Sequence, residues 1–455
     1  MKKTTPKYFL VVLLIFVHFW QASLVRPVAD DYTLLRIYSQ EGFNASISYI
    51  WNNFGGNITP AVIRAVFVTP SLDASNWYGF FAFSIATSIL VIASYLILIS
   101  WLTDRRVDEL TISDVLIVLL ASLAFEGLFT PGLSSAYLFG AAAGVHLWPI
   151  CLFIIFLKTI AIASERIPNY LFQTFLVILI LFGFIVGNSG LAESSAIFIC
   201  LLAFNVWNMV KPKIQSRLRL HIALNTYLLG IAIGLATIFL APGFSDRNSR
   251  LGKIDDGYME LLVSFRSSLA SFSGEIITHP IWIFAFLATL LAKNPYKVNH
   301  FNSRWLLVFI ASVFVLLILG GTFGYAAWHQ SSGLIFLLTP AAFCFALIQK
   351  QKGKLSRFVS LPIKYTSLFL VFIVLIGLLF RGLVVQEIRS SAWDSNYPIN
   401  LCSSIKSNQL LLLGAEIKYW PIGLGVEDVN SWDWMAVDYR KWLASIRPDR
   451  FSICK

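Results

Sequence analysis

The stretch YGFFAFSIATSILVIASYLILISWL, Tyr78 to Leu102, carries no Asp, Glu, Lys or Arg. It is long enough to cross roughly 30 Å of hydrocarbon as a helix, for which about 17 to 25 apolar residues are needed. Similar runs lie near 8 to 25, 112 to 129, 141 to 163, 170 to 187, 194 to 210 and 221 to 241. Others follow near 262 to 291, 305 to 325, 332 to 349 and 364 to 383, so that about eleven spans are expected. Composition agrees: the 455 residues are 57% hydrophobic and only 13% charged, with a mean hydropathy of +0.73. That is more apolar surface than a soluble core can hide, and the expected fold class is an all-α polytopic membrane protein.

Basic residues set the orientation, because short cytoplasmic loops carry an excess of Lys and Arg. Lys2, Lys3 and Lys7 precede the first run, and further clusters recur in every second loop: Arg105/Arg106, Lys158/Arg166, Lys211 to Arg219, Lys293 to Arg304 and Lys350 to Lys364. These loops are expected in the cytoplasm, with the N-terminus. The first run has the basic start of a signal peptide, but its core is long and QAS before Leu24 is a weak cleavage site, so it reads as an uncleaved anchor. The net charge of +11 is largely accounted for by these orientation signals, and no nucleic-acid partner is expected.

The outer segments are then the loop 26 to 77, short turns near 130 and 188, a loop from 242 to 261 or longer, a turn near 326 to 331 and a tail from 384 to 455. The chain divides into a transmembrane body, 1 to 383, and a small C-terminal domain, 384 to 455, whose YWPIGLGVEDVNSWDWMAVDYRKW is too polar for a span. In the first outer loop, Tyr32, Leu35 and Ile37 or Tyr38, and then Ile47, Ile50, Trp51 and Phe54, recur at three-to-four spacing. They predict one or two amphipathic helices at the membrane surface, ended by GGNITP. Cys151, Cys200 and Cys344 fall in spans, whereas Cys402 and Cys454 fall in the outer tail, where an oxidising compartment would allow a disulfide.

Chemistry is sought where polar groups meet the outer boundary. Asp30 and Asp31 sit side by side after the first run. Adjacent carboxylates at a lipid–water boundary suit a general base, one with its pKa raised and the other ionised beside it. The same pair also suits the N-cap and first turn of a helix, and the two roles are compatible. Arg247 and Arg250 follow Pro242 and Gly243 at the end of a run, at the depth of a lipid phosphate. Guanidinium groups there would bind phosphate bidentately, or attract anionic lipid in general. Arg64 and Arg26 are weaker cases of the same kind. Tyr32, His146 in GVHLWP, Glu193 in GNSGLAESS and His329 in YAAWHQSSG are further candidates for substrate contacts, as are Glu275, His279 and Gln330 at span ends. There is no HExxH, no paired CxxC and no phosphate-cradling glycine loop, which argues against a zinc enzyme and a nucleotide-driven pump.

An uncleaved first span followed by ADDY, an amphipathic first outer loop, many further spans, LAPG with Arg247, and a tail of the form EDVNSWDW resemble the GT-C superfamily of polyprenyl-phosphate-sugar glycosyltransferases. Within it the chain is similar to bacterial O-antigen-modifying, seroconverting glucosyltransferases. The resemblance implies a bacterial inner-membrane protein with a periplasmic C-terminus, a polyprenyl-phosphate sugar as donor and a glycan or glycolipid as acceptor. It implies Asp30 as the base for the acceptor hydroxyl, Asp31 beside it, and Arg247 as a ligand of the donor phosphate. The chain departs from the pattern at Phe244, where a polar residue follows APG in the group, and at WNNFGGN, which stands for a Trp–Gly–Arg element. Some members use a divalent metal and others none; the expectation here is no cofactor.

A flippase or transporter of a lipid-linked sugar is the leading alternative, since it too needs outer arginines and a membrane cavity. It should show two related halves and ionisable groups near the midplane, and no duplication is visible in the sequence. An O-antigen polymerase would carry its large outer loop late in the chain.

Overall fold

The computed structural model describes residues 41–68, 78–103, 106–110, 143–210 and 218–244, with isolated positions at 12, 16, 37, 38 and 118 and between 262 and 274. Among the described residues every regular element is helical. Helix α1, Phe43–Tyr49, runs into a π turn, Ile50–Phe54; α2 covers Ile58–Val68 and α3 Tyr78–Thr103. A second π turn, Ala143–Leu147, leads into α4, Trp148–Arg166. Then come α5, Asn169–Gly187, α6, Leu191–Val210, and α7, Leu218–Leu240.

Four helices are long and apolar enough to cross a membrane, over Tyr78–Trp101, Ala143–Ser164, Asn169–Gly187 and Leu218–Leu240. Ile58–Phe67 and Leu191–Val206 are shorter apolar helices. Each expected span that falls on described residues is a helix; most of the runs near 8 to 25, 112 to 129 and 262 to 291, and all of those from 305 onward, lie outside them, as does the tail 384 to 455. The faces of α5 and α7 that point away from the core are apolar too, with Val177, Leu181, Leu229 and Phe239 exposed. A helix that is hydrophobic all round suits hydrocarbon rather than water, so the protein is membrane-embedded.

Local chemistry sets the ends of these helices. Ile167 is extended because it precedes Pro168, which stops α4 and leaves Asn169 to begin α5. The first π turn ends at Gly55, whose φ of 104° is left-handed, and Gly56 follows at 80°. This is the stop expected at GGNITP, but a further helix begins inside that motif. Pro60 lies in the first turn of α2, where its missing N–H is one that the helix leaves unbonded anyway.

The most extensive contact is between α5 and α7, and it is made by glycine. Gly183 and Gly187 on α5 face Gly230 and Gly234 on α7, two GxxxG pairs running the same way. A Cβ at Gly183 would lie 2.9 Å from the Gly230 Cα, and one at Gly187 2.8 Å from the Ile231 Cα. Backbones this close gain dispersion and Cα–H contacts that larger residues forbid. Beside this pair, Phe156 stacks on Phe182 at 4.2 Å between ring centroids, joining α4 to α5. On α3, Ser94 Oγ reaches the Leu90 carbonyl at 2.7 Å and the Cys151 carbonyl of α4 at 3.2 Å. Trp148 stacks on Phe83 at 5.0 Å while its indole N–H donates to Thr87 Oγ1 at 2.9 Å, which fixes the start of α4 against α3.

Candidate functional site

One end of the helix assembly collects four chain segments around Asn188, the residue that follows α5. Asn188 is fully buried. Its Oδ1 accepts the Thr59 N–H at 2.8 Å, and its Nδ2 donates to Thr237 Oγ1 at 2.7 Å and to the Gly56 carbonyl at 3.1 Å. The side chain thus joins the end of α5 to the start of α2 and to α7. A Cβ at Gly56 would lie 3.3 Å from the Ile238 Cα and would clash with the Ala241 side chain, so the Gly55–Gly56 turn sits on the start of the segment Ala241–Phe244.

The second feature of this end is an acid–imidazole pair. His146, on the π turn before α4, has Nδ1 at 2.7 Å from Oε1 of Glu193, in the first turn of α6. Single π turns inside helices recur at functional sites, because the extra residue re-aims the side chains around it. Glu193 is 1% exposed, while the His146 side chain is 16% exposed. Glu193 Oε2 has no hydrogen-bond partner among the described residues. The turn Asn188–Gly190 is pressed on both groups: a Cβ at Gly190 would lie 2.7 Å from Glu193 Oε2 and would run into the Val145 carbonyl. A carboxylate in the first turn of α6 is favoured by the helix dipole, and here it is hydrogen-bonded to the imidazole of His146.

Arg64 is 7% exposed on α2. It lies one turn beyond Pro60, which itself packs on the π turn, 3.5 Å from where a Gly144 Cβ would be. Its charge reaches Tyr38, a buried residue that packs with Ala65 and Ile50. Burial pushes the Tyr38 phenol above its ordinary pKa, with the Ser46 side chain and the Arg64 charge pulling the other way.

Of the residues singled out in the sequence, Arg64, His146 and Glu193 are described, and the structure joins the last two directly. Asp30, Asp31, Tyr32, Arg247, Arg250 and His329 lie outside the described residues, as do Arg26, Glu275, His279, Gln330, Cys402 and Cys454. Asn188 was missed by the sequence reading. Its signal was an amide between glycines at the end of an apolar run, in the same GNSGLAESS that gave Glu193. Comparison with family profiles, with characterised proteins and with solved structures gives no match for this chain.

Proposed function

We propose that the chain is an inverting glycosyltransferase of the GT-C kind, crossing the bacterial inner membrane about eleven times. It would move a sugar from polyprenyl phosphate to a hydroxyl of a periplasmic or lipid-linked glycan, without a cofactor. The N-terminus lies in the cytoplasm and the C-terminal domain in the periplasm. Arg106, Arg166 and Arg219 support this orientation, since they lie at the helix ends opposite Asn188.

The observation that carries the reading is the convergence at Asn188. The first outer loop returns to the membrane there through Gly55–Thr59, and Ala241–Phe244 begins the second outer loop at the same place, three residues before Arg247. Segments of the two outer loops thus meet at one end of the helices, beside a buried acid–imidazole pair, which supports a reading in which the first loop carries the base and the second the phosphate ligand. In the mechanism Asp30 takes the acceptor proton, with Asp31 beside it, as the hydroxyl oxygen attacks the anomeric carbon. The bond to the donor phosphate breaks on the opposite side, and Arg247 and Arg250 stabilise the charge left on that phosphate.

The test is sugar transfer in membranes supplied with polyprenyl-phosphate sugar. Asp30→Asn or Asp31→Asn is expected to lower the rate by about 10² to 10⁴, the usual contribution of a general base. Transfer at the unaltered rate by both variants overturns the assignment. Adding a chelator is expected to leave the rate unchanged. The buried Glu193–His146 pair also favours a transporter of lipid-linked sugar, because ionisable groups within a membrane body mark cargo paths. Such a protein would move its cargo and make no new glycosidic bond.

A further inference from the structure

We infer that two copies of this chain associate through the outward face of α7, with Asn225 of one copy paired to Asn225 of the other. The inference does not rest on the transferase reading and applies equally to a transporter.

Asn225 ends a run of hydrogen bonds that passes from α7 to α6 and back. Asn205 Oδ1 lies 3.1 Å from His221 Nδ1, and since an amide oxygen only accepts, that ring nitrogen carries the proton. Asn205 Nδ2 donates in turn to Asn225 Oδ1. Asn205 is fully buried, so its amide is committed to these two partners. Asn225 is exposed, and its Nδ2 has no hydrogen-bond partner among the described residues. Its Oδ1 keeps a second lone pair.

Depth makes that open donor consequential. Asn225 follows Leu218, the first residue of α7, by about 10 Å along the helix axis, which puts it within the span Leu218–Leu240 and not at its end. The hydrocarbon core holds no water, and lipid tails offer no acceptor, so an open N–H on the outer face of a span is costly until it meets a polar group. The rest of the stripe is apolar: Leu218, Ile222, Leu229 and Ile233 are exposed at three-to-four spacing with Asn225 among them. On α6, Leu202 and Val206 are exposed on either side of Asn205. A single amide in an apolar seam of this spacing is the arrangement that fixes register between associating helices.

Copies of one membrane protein share an orientation in the bilayer, so a residue on their common face meets its own equivalent at the same depth. About a two-fold axis along the membrane normal, the open Nδ2 of each Asn225 faces the spare lone pair of the other Oδ1. Two reciprocal hydrogen bonds then satisfy both amides. The chain thus carries both the donor and the acceptor that its own copy needs, whereas a lipid tail carries neither.

The test uses the full chain in phosphatidylcholine vesicles and reads energy transfer between donor-labelled and acceptor-labelled copies as the protein is diluted in lipid. Transfer above that of randomly dispersed monomers is expected. In Asn225→Leu the dilution at half-maximal transfer should fall roughly tenfold, the value of the interhelical hydrogen bonds removed. Asn225→Gln, which keeps an amide, should lie between the two. Because Asn225→Leu also strands the Asn205 amide, a second measurement leaves both amides in place. In a chain whose five cysteines are replaced by alanine, Ile222→Cys and Leu229→Cys should form intermolecular disulfides under mild oxidation faster than Ile89→Cys, exposed on α3. Random transfer in the parent, or equal cross-linking at the three positions, overturns the inference. Association unchanged in Asn225→Leu overturns it as well. A monomeric parent that retains phospholipid, lost in Asn225→Leu, assigns the open donor to a lipid carbonyl and equally overturns the second copy.

Discussion

Asn188 Oδ1 accepts the backbone N–H of Thr59 at 2.8 Å, across 129 positions of sequence. That bond ties the first outer segment to the end of α5, and the same amide holds Thr237 on α7. Replacing Asn188 by Leu leaves the Thr59 N–H, the Gly56 carbonyl and the Thr237 hydroxyl without this partner in a buried site. Each such group costs about 1 to 3 kcal/mol, so the variant should melt well below the parent in detergent. Asn188→Asp keeps the acceptor for Thr59 and loses the donor to Thr237, and it should fall between the two. Equal melting of all three proteins would show that the hub contributes nothing to the fold.

The paired glycines of α5 and α7 give a second expectation. Gly183→Ala and Gly230→Ala each push a methyl group into the facing backbone, and overpacking of this kind costs about 1 to 3 kcal/mol. Gly274→Ala, where the added methyl meets no atom of the described residues within 4 Å, serves as the control and should be neutral. Thermal melts of the three variants check this.

The spans were legible because the bilayer demands length and apolarity, and both are written residue by residue between Tyr78 and Leu102 or Asn169 and Gly187. Helix α2 was not, since Ile58–Val68 is too short to register as a span and begins in a motif rich in breakers. Glu193 and His146 stood out singly as ionisable groups in apolar surroundings, but nothing in their separation of 47 positions announces a pair. Pairing depends on the turn at Gly190 and on the π turn at Ala143–Leu147, both of which are consequences of packing. Asn188 escaped notice for the same reason: an uncharged amide becomes a hub only once three chain segments surround it.

Tyr38 sets an alkaline limit on the first outer segment. Its phenol is raised above the ordinary value by burial, so the folded protein keeps the proton where the unfolded chain has begun to lose it. Below the ordinary tyrosine value, about 10, the contribution to stability is fully present, and it is lost as pH rises from there through the folded value. Tyr38→Phe has no proton to lose. The difference in melting temperature between parent and variant should therefore shift in favour of the variant as pH is raised above about 10. A difference that stays constant with pH would show that the phenol titrates normally.

Glu193 and His146 should behave as one unit in stability. Removing one member of a buried hydrogen-bonded pair leaves the other's polar atom without that partner, which costs about 1 to 3 kcal/mol. His146→Leu leaves Glu193 buried without this hydrogen-bond partner, and Glu193→Leu leaves His146 Nδ1 without it. The double variant strands neither, so its loss should be smaller than the sum of the two by at least about 1 kcal/mol, the size of coupling seen between contacting residues. Gly190→Ala offers an independent route to the same bond. Its methyl would press on Glu193 Oε2 and on the Val145 carbonyl, moving the carboxylate away from Nδ1 without changing either partner. It should destabilise the parent more than it destabilises the His146→Leu, Glu193→Leu background, where no bond remains to be displaced. Equal effects in the two backgrounds would mean that Gly190 serves the packing of its turn alone.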